Sequence, residues 1–339
     1  MSTRPRVAVA GASGYIGLQC VEILARHPDL ELTRLLARSH AGRRFCDVVP
    51  GSSVDLPLEA GLEVDGVDVV FAALPHTVAA SHARGWIEGG AVVVDMSADF
   101  RLRDAADYER WYGVTHPAPE LCGESVYALC ELLNGELRGA DLIAVPGCYP
   151  TATLLATVPA VRAGLVETDI VVDAKSGVSG AGRSPSMGAH YAEVNESVKA
   201  YGVDGHRHKA EMLQQLRDAN GGDIRLTFVP HLIPMTRGIL ATAYLHPAAG
   251  TGIDELRELY RGLCDAHPCL RYDETPPPTK SVLGSNLAAL NVSMQDGVAV
   301  VTCAVDNLVK GAGGQGIQAL NLRLGLEETA GLPLHPVWP

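Results

Sequence analysis

No stretch of 18 consecutive apolar residues occurs in this 339-residue chain, which leaves no candidate for a membrane-spanning helix. Runs of five or six basic residues are missing too. Acidic residues outnumber basic ones by 39 to 27, and a formal charge of -12 argues against nucleic acid and anionic membrane as partners. The opening "MSTRPRVAVAGASGYIG" enters a strand-like run without the apolar core and cleavage site of a signal peptide, so a cytoplasmic location is expected. None of the eight cysteines forms a CxxC and no Cys/His cluster has zinc spacing, so no metal is expected and most thiols read as small core residues. Internal repeats and low-complexity linkers are absent.

What is present is apolar material, 47% of the residues, in a chain long enough for two domains. Arg6 to Ala10, Leu30 to Ala37, Val67 to Leu74, Ala91 to Met96 and Leu142 to Val145 are apolar runs, the pattern of parallel strands covered on both faces. Helical spacing separates them at Ile16 to Arg26 and Thr77 to Gly89, which predicts a Rossmann-type doubly wound α/β domain. From about Asp169 the strands "DIVVDAKSG", "IRLTFVPHLI", "GILATAYLH" and "VAVVTCAVDN" come with few helices, which predicts an α+β domain with an antiparallel sheet. The tail 310–326 reads as a Gly-rich turn leading into a helix. The expected division is 1–147 plus 311–339 against 148–310.

Two local patterns carry chemistry. In "VAVAGASGYIG", Gly11, Gly14 and Gly17 lie between a strand and a helix, where a tight turn lets backbone N–H groups reach a pyrophosphate. The next strand ends "LLARSHAGRR"; Arg38 and Ser39 stand where an acid would hold a ribose hydroxyl, which favours NADP(H) over NAD. In "VPGCYPTA", Gly147 allows a sharp turn and Pro150 suits a first helical position, so Cys148 falls just outside a helix N-terminus whose dipole stabilises a thiolate. A thiol of pKa about 8.5 is about 3% ionised at pH 7, and one near 6 about 90%. A nucleophilic thiolate beside a nicotinamide implies attack on an activated acyl group and reduction of the thioester to an aldehyde.

Such chemistry needs a proton carrier and cationic groups. His206 and His208, with Glu211 in support, supply the first in "DGHRHKAEM", His206 being the preferred acid/base although spacing does not decide between the two. Ser97 and Arg101 in "VDMSADFRLRD", with Arg207 and Arg237, are candidates to hold a phosphate or carboxylate.

The stretches "GASGYIG", "ALPHTVA", "DMSADFRL", "VPGCYPTA", "SGVSGAGR", "NESVKAYGVDGHRHKAEM", "LIPMTRGILAT" and "VDNLVKGAGGQGIQALNL" resemble the N-acetyl-gamma-glutamyl-phosphate reductases of arginine biosynthesis nearly end to end. The resemblance implies a Cys148 nucleophile, acid/base chemistry from the His206–His208 segment, and NADP contacts at Ser13, Gly14, Tyr15, Ile16, Gly17, Arg38 and Ser39. It also implies Asn307 near the nicotinamide and a homo-oligomer, dimer or tetramer, built on the second domain. The substrate it implies is a small acyl phosphate, with inorganic phosphate released. The stretch after the second strand, "LLARSHAGRRF", also resembles the aminoadipyl-phosphate reductases of lysine biosynthesis, whose substrate rides on an amino-group carrier protein. Two further readings are aspartate-semialdehyde dehydrogenase, against which "CYPT" and "HRH" argue, and an NADP-binding redox sensor built on Cys148.

Overall fold

The computed structural model describes residues 4–132 and 137–338, which form two compact units. The first begins with β1 (Arg6–Ala10), a glycine turn and α1 (Tyr15–Leu24). It continues through β2 (Glu31–Leu36), α2 (Phe45–Val48), β3 (Leu58–Glu59), β4 (Val69–Ala72), α3 (Val78–Glu88), β5 (Val92–Asp95), α4 (Ala105–Tyr112), β6 (Val126–Tyr127) and β7 (Leu142–Ala144). The sheet order is β3-β2-β1-β4-β5-β7-β6, and every pairing is parallel. Val7 to Ala10 and Val69 to Ala72 are essentially inaccessible along their whole length, which is why these strands read as unbroken apolar runs. The strand order reverses between β1 and β4, and the crevice outside their carboxyl ends is where folds of this class take ligands.

The second unit opens with α5 (Cys148–Arg162), in which Tyr149 to Val161 are all buried. Around it lie β8 (Asp169–Ser176), α6 (Tyr191–Val194), β9 (Lys199–Ala200), α7 (His208–Asn220), β10 (Arg225–Leu232), β11 (Ile239–Leu245), α8 (Ile253–Ala266), β12 (Leu270–Tyr272), β13 (Ala288–Gln295) and β14 (Val298–Val305). The sheet order is β12-β13-β14-β11-β8-β10-β9. Alternation along β8 and β11 sends Val172, Ala174, Ala241 and Ala243 inward and leaves Val171 and Tyr244, cross-strand partners, part-exposed. Ala-rich inward positions let α5 lie close against β11.

This sheet is mixed, not antiparallel as its strand texture suggests. β8 and β10 run parallel over eight residue pairs, Asp169 with Arg225 to Ser176 with Leu232, and β12 is parallel to β13. The long connection from β8 to β10, which contains α7, is the crossover that a parallel pair requires; alternation within a strand carries no information about direction. Residues 312–333 group with the first unit and carry α9 (Gly314–Leu324), and 334–338 group with the second. Among the described residues, no helix is long and apolar enough to cross a membrane.

Candidate active site

The first unit's turn is shaped by what it cannot admit. Gly11 sits at φ +83°, and a Cβ there would lie 2.0 Å from the Ala73 carbonyl oxygen; a Cβ on Gly17 would lie 2.1 Å from that of Gly11. Both positions therefore need glycine to bring β1, β4 and α1 together. Gly14 is different: a Cβ would meet only Gly11 O at 3.5 Å, and as N-cap it leaves the start of α1 with no side-chain cap. Its small size keeps open the approach to N–H groups that an anion would take, so the turn fits a dinucleotide's pyrophosphate. Ser13, Tyr15 and Ile16 occupy the same turn, none fully buried. The Gly11 and Ala12 N–H groups donate to Leu36 O at 2.8 and 3.1 Å, which ties the end of β2 to this turn, and the exposed Arg38 and Ser39 follow two and three residues later.

Ser97 and Arg101 also belong to the first unit. The Ser97 hydroxyl donates to Asp95 at 3.0 Å and accepts the Asp99 N–H at 3.1 Å. Arg101 is buried, and its guanidinium donates to Val145 O at 2.8 Å and Met96 O at 3.1 Å. It thereby clamps the ends of β5 and β7, the strand that leads to Cys148. Burial, then the neighbouring Asp99, pushes the Asp95 carboxyl up to about 7. Asp99 accepts the N–H groups of Thr77 and Ala80 and the Tyr108 hydroxyl, capping α3 from a distant segment while Thr77 holds φ +71°.

In the second unit the thiol corner is tighter than its sequence suggests. Gly147 is the N-cap and Cys148 the first residue of α5, so Pro150 stands at the third helical position, not the first. The thiol is thus inside the first turn, closer to the dipole's positive end. Gly147 donates its N–H to Glu211 Oε1 at 2.8 Å, and that carboxylate is only 2% exposed. Cys148 is part-exposed, and none of the eight cysteines is in a disulfide.

His206, His208 and Glu211 gather at this corner. α7 starts at His208 and lies against α5; His206 is in the turn before it, with the two imidazole centroids 4.9 Å apart. The His208 N–H donates to His206 Nδ1 at 3.2 Å, so the neutral His206 ring carries its proton on Nε2. Burial, with Arg207 adding to it, lowers the His206 pKa to about 4 and keeps the ring neutral near pH 7. Arg207 is exposed beside it. Sequence reasoning overlooked two phenols here. Tyr149 stands edge-on to His206 and His208, and Tyr201 donates its hydroxyl to that of Tyr149 at 3.1 Å. Burial raises both phenols above their ordinary range, and a charge on Cys148 raises both further. Both stood inside the motifs "GCYPTA" and "VKAYGVDGHRH", next to the residues singled out.

A second polar group adjoins the corner. Arg237 donates to the buried Asp306 carboxylate at 2.9 Å. Asn307 is also buried: its Oδ1 accepts the Gly238 N–H at 2.7 Å and its Nδ2 donates to Ser179 Oγ at 3.0 Å. Gly311 connects the two groups, since its N–H donates to Asp306 O at 2.9 Å and a Cβ on it would meet Cys148 Cβ at 2.9 Å. Lys310, fully buried, precedes it in a π-helical turn, Val309–Gly313, that the sequence reading treated as a plain Gly-rich turn. Among the described residues, no group of three or more His, Cys, Asp or Glu side chains is placed to hold a metal ion.

Comparison with known proteins agrees with this architecture. Residues 6–140 match the semialdehyde dehydrogenase NAD binding domain, and 148–307 the semialdehyde dehydrogenase dimerisation domain. Among solved structures, an aspartate semialdehyde dehydrogenase II from Vibrio cholerae shares the fold with TM-score 0.73 at 17% identity, covering 96% of this chain and 99% of that one. An aspartate semialdehyde dehydrogenase with NADP from Candida albicans gives 0.69 at 14% identity, covering 94% and 98%. N-acetyl-gamma-glutamyl-phosphate reductases from Symbiobacterium thermophilum and Desulforudis audaxviator are 46% and 45% identical to this chain, each covering 98% of it and 99% of the relative. The one from Rhodospirillum rubrum is 44% identical over the whole of both chains. With identity at that level from one end to the other, the chain belongs to the N-acetyl-gamma-glutamyl-phosphate reductase family.

Proposed function

We propose that this enzyme reduces N-acetyl-gamma-glutamyl phosphate to N-acetyl-glutamate semialdehyde and inorganic phosphate, using NADPH and a thioester on Cys148. The observation that carries the reading is a part-exposed thiol at the first position of a buried helix, among His206, His208 and Glu211. The relatives' names support the glutamyl substrate over the aminoadipyl homologue and the redox sensor. The open α1 N-terminus and the basic turn after β2 support NADPH, as does a structural neighbour solved with NADP.

Cys148 Sγ attacks the acyl carbon, and the phosphate departs with the electron pair of the broken C–O bond. When bound, the nicotinamide supplies the hydride that reduces the thioester carbonyl. Collapse of the resulting thiohemiacetal releases the aldehyde and returns the sulfur to Cys148. The neutral His206, with Nδ1 accepting from the backbone, offers an N–H donor at Nε2. That leaves His208 to take the thiol proton and return one, reversing the preference for His206 read from the sequence. The exposed Arg207, and Arg237 beside its partner Asp306, are the cationic groups assigned to the substrate's phosphate and carboxylate. We also infer a homo-oligomer formed through the second unit, whose part-exposed Val171 and Tyr244 face each other across β8 and β11.

The test runs the reaction backwards, following NADP reduction in phosphate buffer with N-acetyl-glutamate semialdehyde and with its one-carbon-longer homologue. Preference for the shorter aldehyde, with a loss of about 10³-fold or more in Cys148→Ala, is expected. Preference for the longer aldehyde would move the enzyme to the aminoadipyl substrate. Full turnover by Cys148→Ala would end the thioester mechanism.

A further inference from the structure

The carboxylate at the start of α5 sits where a helix dipole would otherwise favour a thiolate without opposition. Glu211 is 2% exposed, and its Oε1 takes the N–H of Gly147, the residue before Cys148. A negative charge there opposes ionisation of the thiol and supports a positive charge on a neighbouring imidazole. His208 stands three residues earlier on α7, on the same helix face. From α5 the corner is faced by Tyr149, and from the turn before α7 by His206 and Arg207. Tyr201 follows β9, Phe228 and His231 come from β10, and Asp306 and Lys310 lie in the segment that carries Gly311.

We propose that Glu211 is a positioning residue that sets the charge state of the nucleophile: it holds the Gly147 turn and keeps the Cys148 thiol protonated until a cationic imidazole is present to accompany the thiolate. Electrostatic control, not the hydrogen bond alone, is then its contribution to the thioester chemistry proposed above. Glu211→Gln separates the two effects, because the amide oxygen still accepts the Gly147 N–H while the charge is gone. Loss of a negative charge lowers the proton affinity of the thiol and of the imidazole alike, so both limbs of the pH–rate profile move towards acid.

The experiment measures iodoacetamide alkylation of Cys148 against pH in a Cys46→Ser background, since Cys46 is the other part-exposed thiol. In Glu211→Gln the midpoint is expected to fall by about one pH unit, making alkylation at pH 6 about tenfold faster, while KM stays near its original value. Glu211→Ala is expected to show the same acid shift together with a lower melting temperature, having lost the acceptor as well. An alkylation midpoint in Glu211→Gln that stays where it was, or moves towards alkali, overturns the proposal. Alkylation needs no substrate, so absence of acyl-phosphate turnover would refute the proposed function without touching this result.

Discussion

At the start of α1, Gly14 caps the helix with no side-chain hydrogen bond; at the start of α5, Gly147 caps it and Glu211 takes its N–H. Both helices follow a parallel strand and a glycine turn, and both carry the same positive end of a helix dipole. The first is left open by Gly11 and Gly17, whose missing Cβ atoms draw the backbone tight, so its N–H groups are offered to an anion from outside. The second is met from within by Glu211 and carries the Cys148 thiol in its first turn. The same local device is left without a side-chain cap in one place and takes a side chain in the other, and the difference lies in which group meets the helix end.

The largest effect expected on this comparison of the two helix ends breaks the open end. Gly17→Val would drive Cβ into Gly11 O and Ala12 Cα, so NADPH affinity should fall at least about 100-fold and stability by about 1–3 kcal/mol. Cofactor fluorescence titration and urea denaturation measure the two, and unchanged binding would mean that the turn does not hold the cofactor.

The next effect compares one titrating group from each unit, the buried Asp95 and the half-buried His206. Asp95, raised to about 7, is protonated in the folded protein where the unfolded chain is ionised, so its contribution is full below about pH 4 and is lost as pH rises towards 7. His206, lowered to about 4, contributes stability that is full above about 6.5 and is lost as pH falls towards 4. The two trends oppose each other between pH 4 and 6.5. The unfolding free energy of Asp95→Asn, from urea denaturation, should therefore fall on acidification more steeply than that of the parent, by up to about 1.4 kcal/mol per pH unit. His206→Asn should tilt the curve the other way. Parallel curves for both variants would show that neither group titrates as its burial requires.

The smallest effect sharpens the reading of the open end as an NADPH site. Arg38→Ala should weaken NADPH by about tenfold and leave NADH nearly unchanged, since only the former carries the 2'-phosphate. Steady-state KM values for both cofactors decide it, and equal losses would remove Arg38 from phosphate recognition.

Much of this was legible in the chain because the requirement was local. A strand, a glycine turn and a helix in sequence describe the first unit's turn almost completely, and the Pro-Gly-Cys corner announces a helix start to within a residue or two. Arg101 was not legible in the same way. Among its partners are the backbone carbonyls of Met96 and Val145, the second 44 residues away, and carbonyls leave no trace in side-chain identity. Asn307 reads as a ligand contact in its motif, yet its amide bridges Gly238 and Ser179, more than 60 residues distant.

By itself the sequence determined the class of each unit, the glycine turn, the thiol at a helix start and the family, because periodicity, backbone freedom and motif identity are properties of neighbours in the chain. Tertiary structure alone decided the parallel pairing of β8 with β10, the Glu211 carboxylate at Gly147 and the tautomer of His206. Direction of a strand, occupancy of a helix end and the partner of a ring nitrogen depend on which distant segments meet, and hydrogen-bond geometry is satisfied only after they have met.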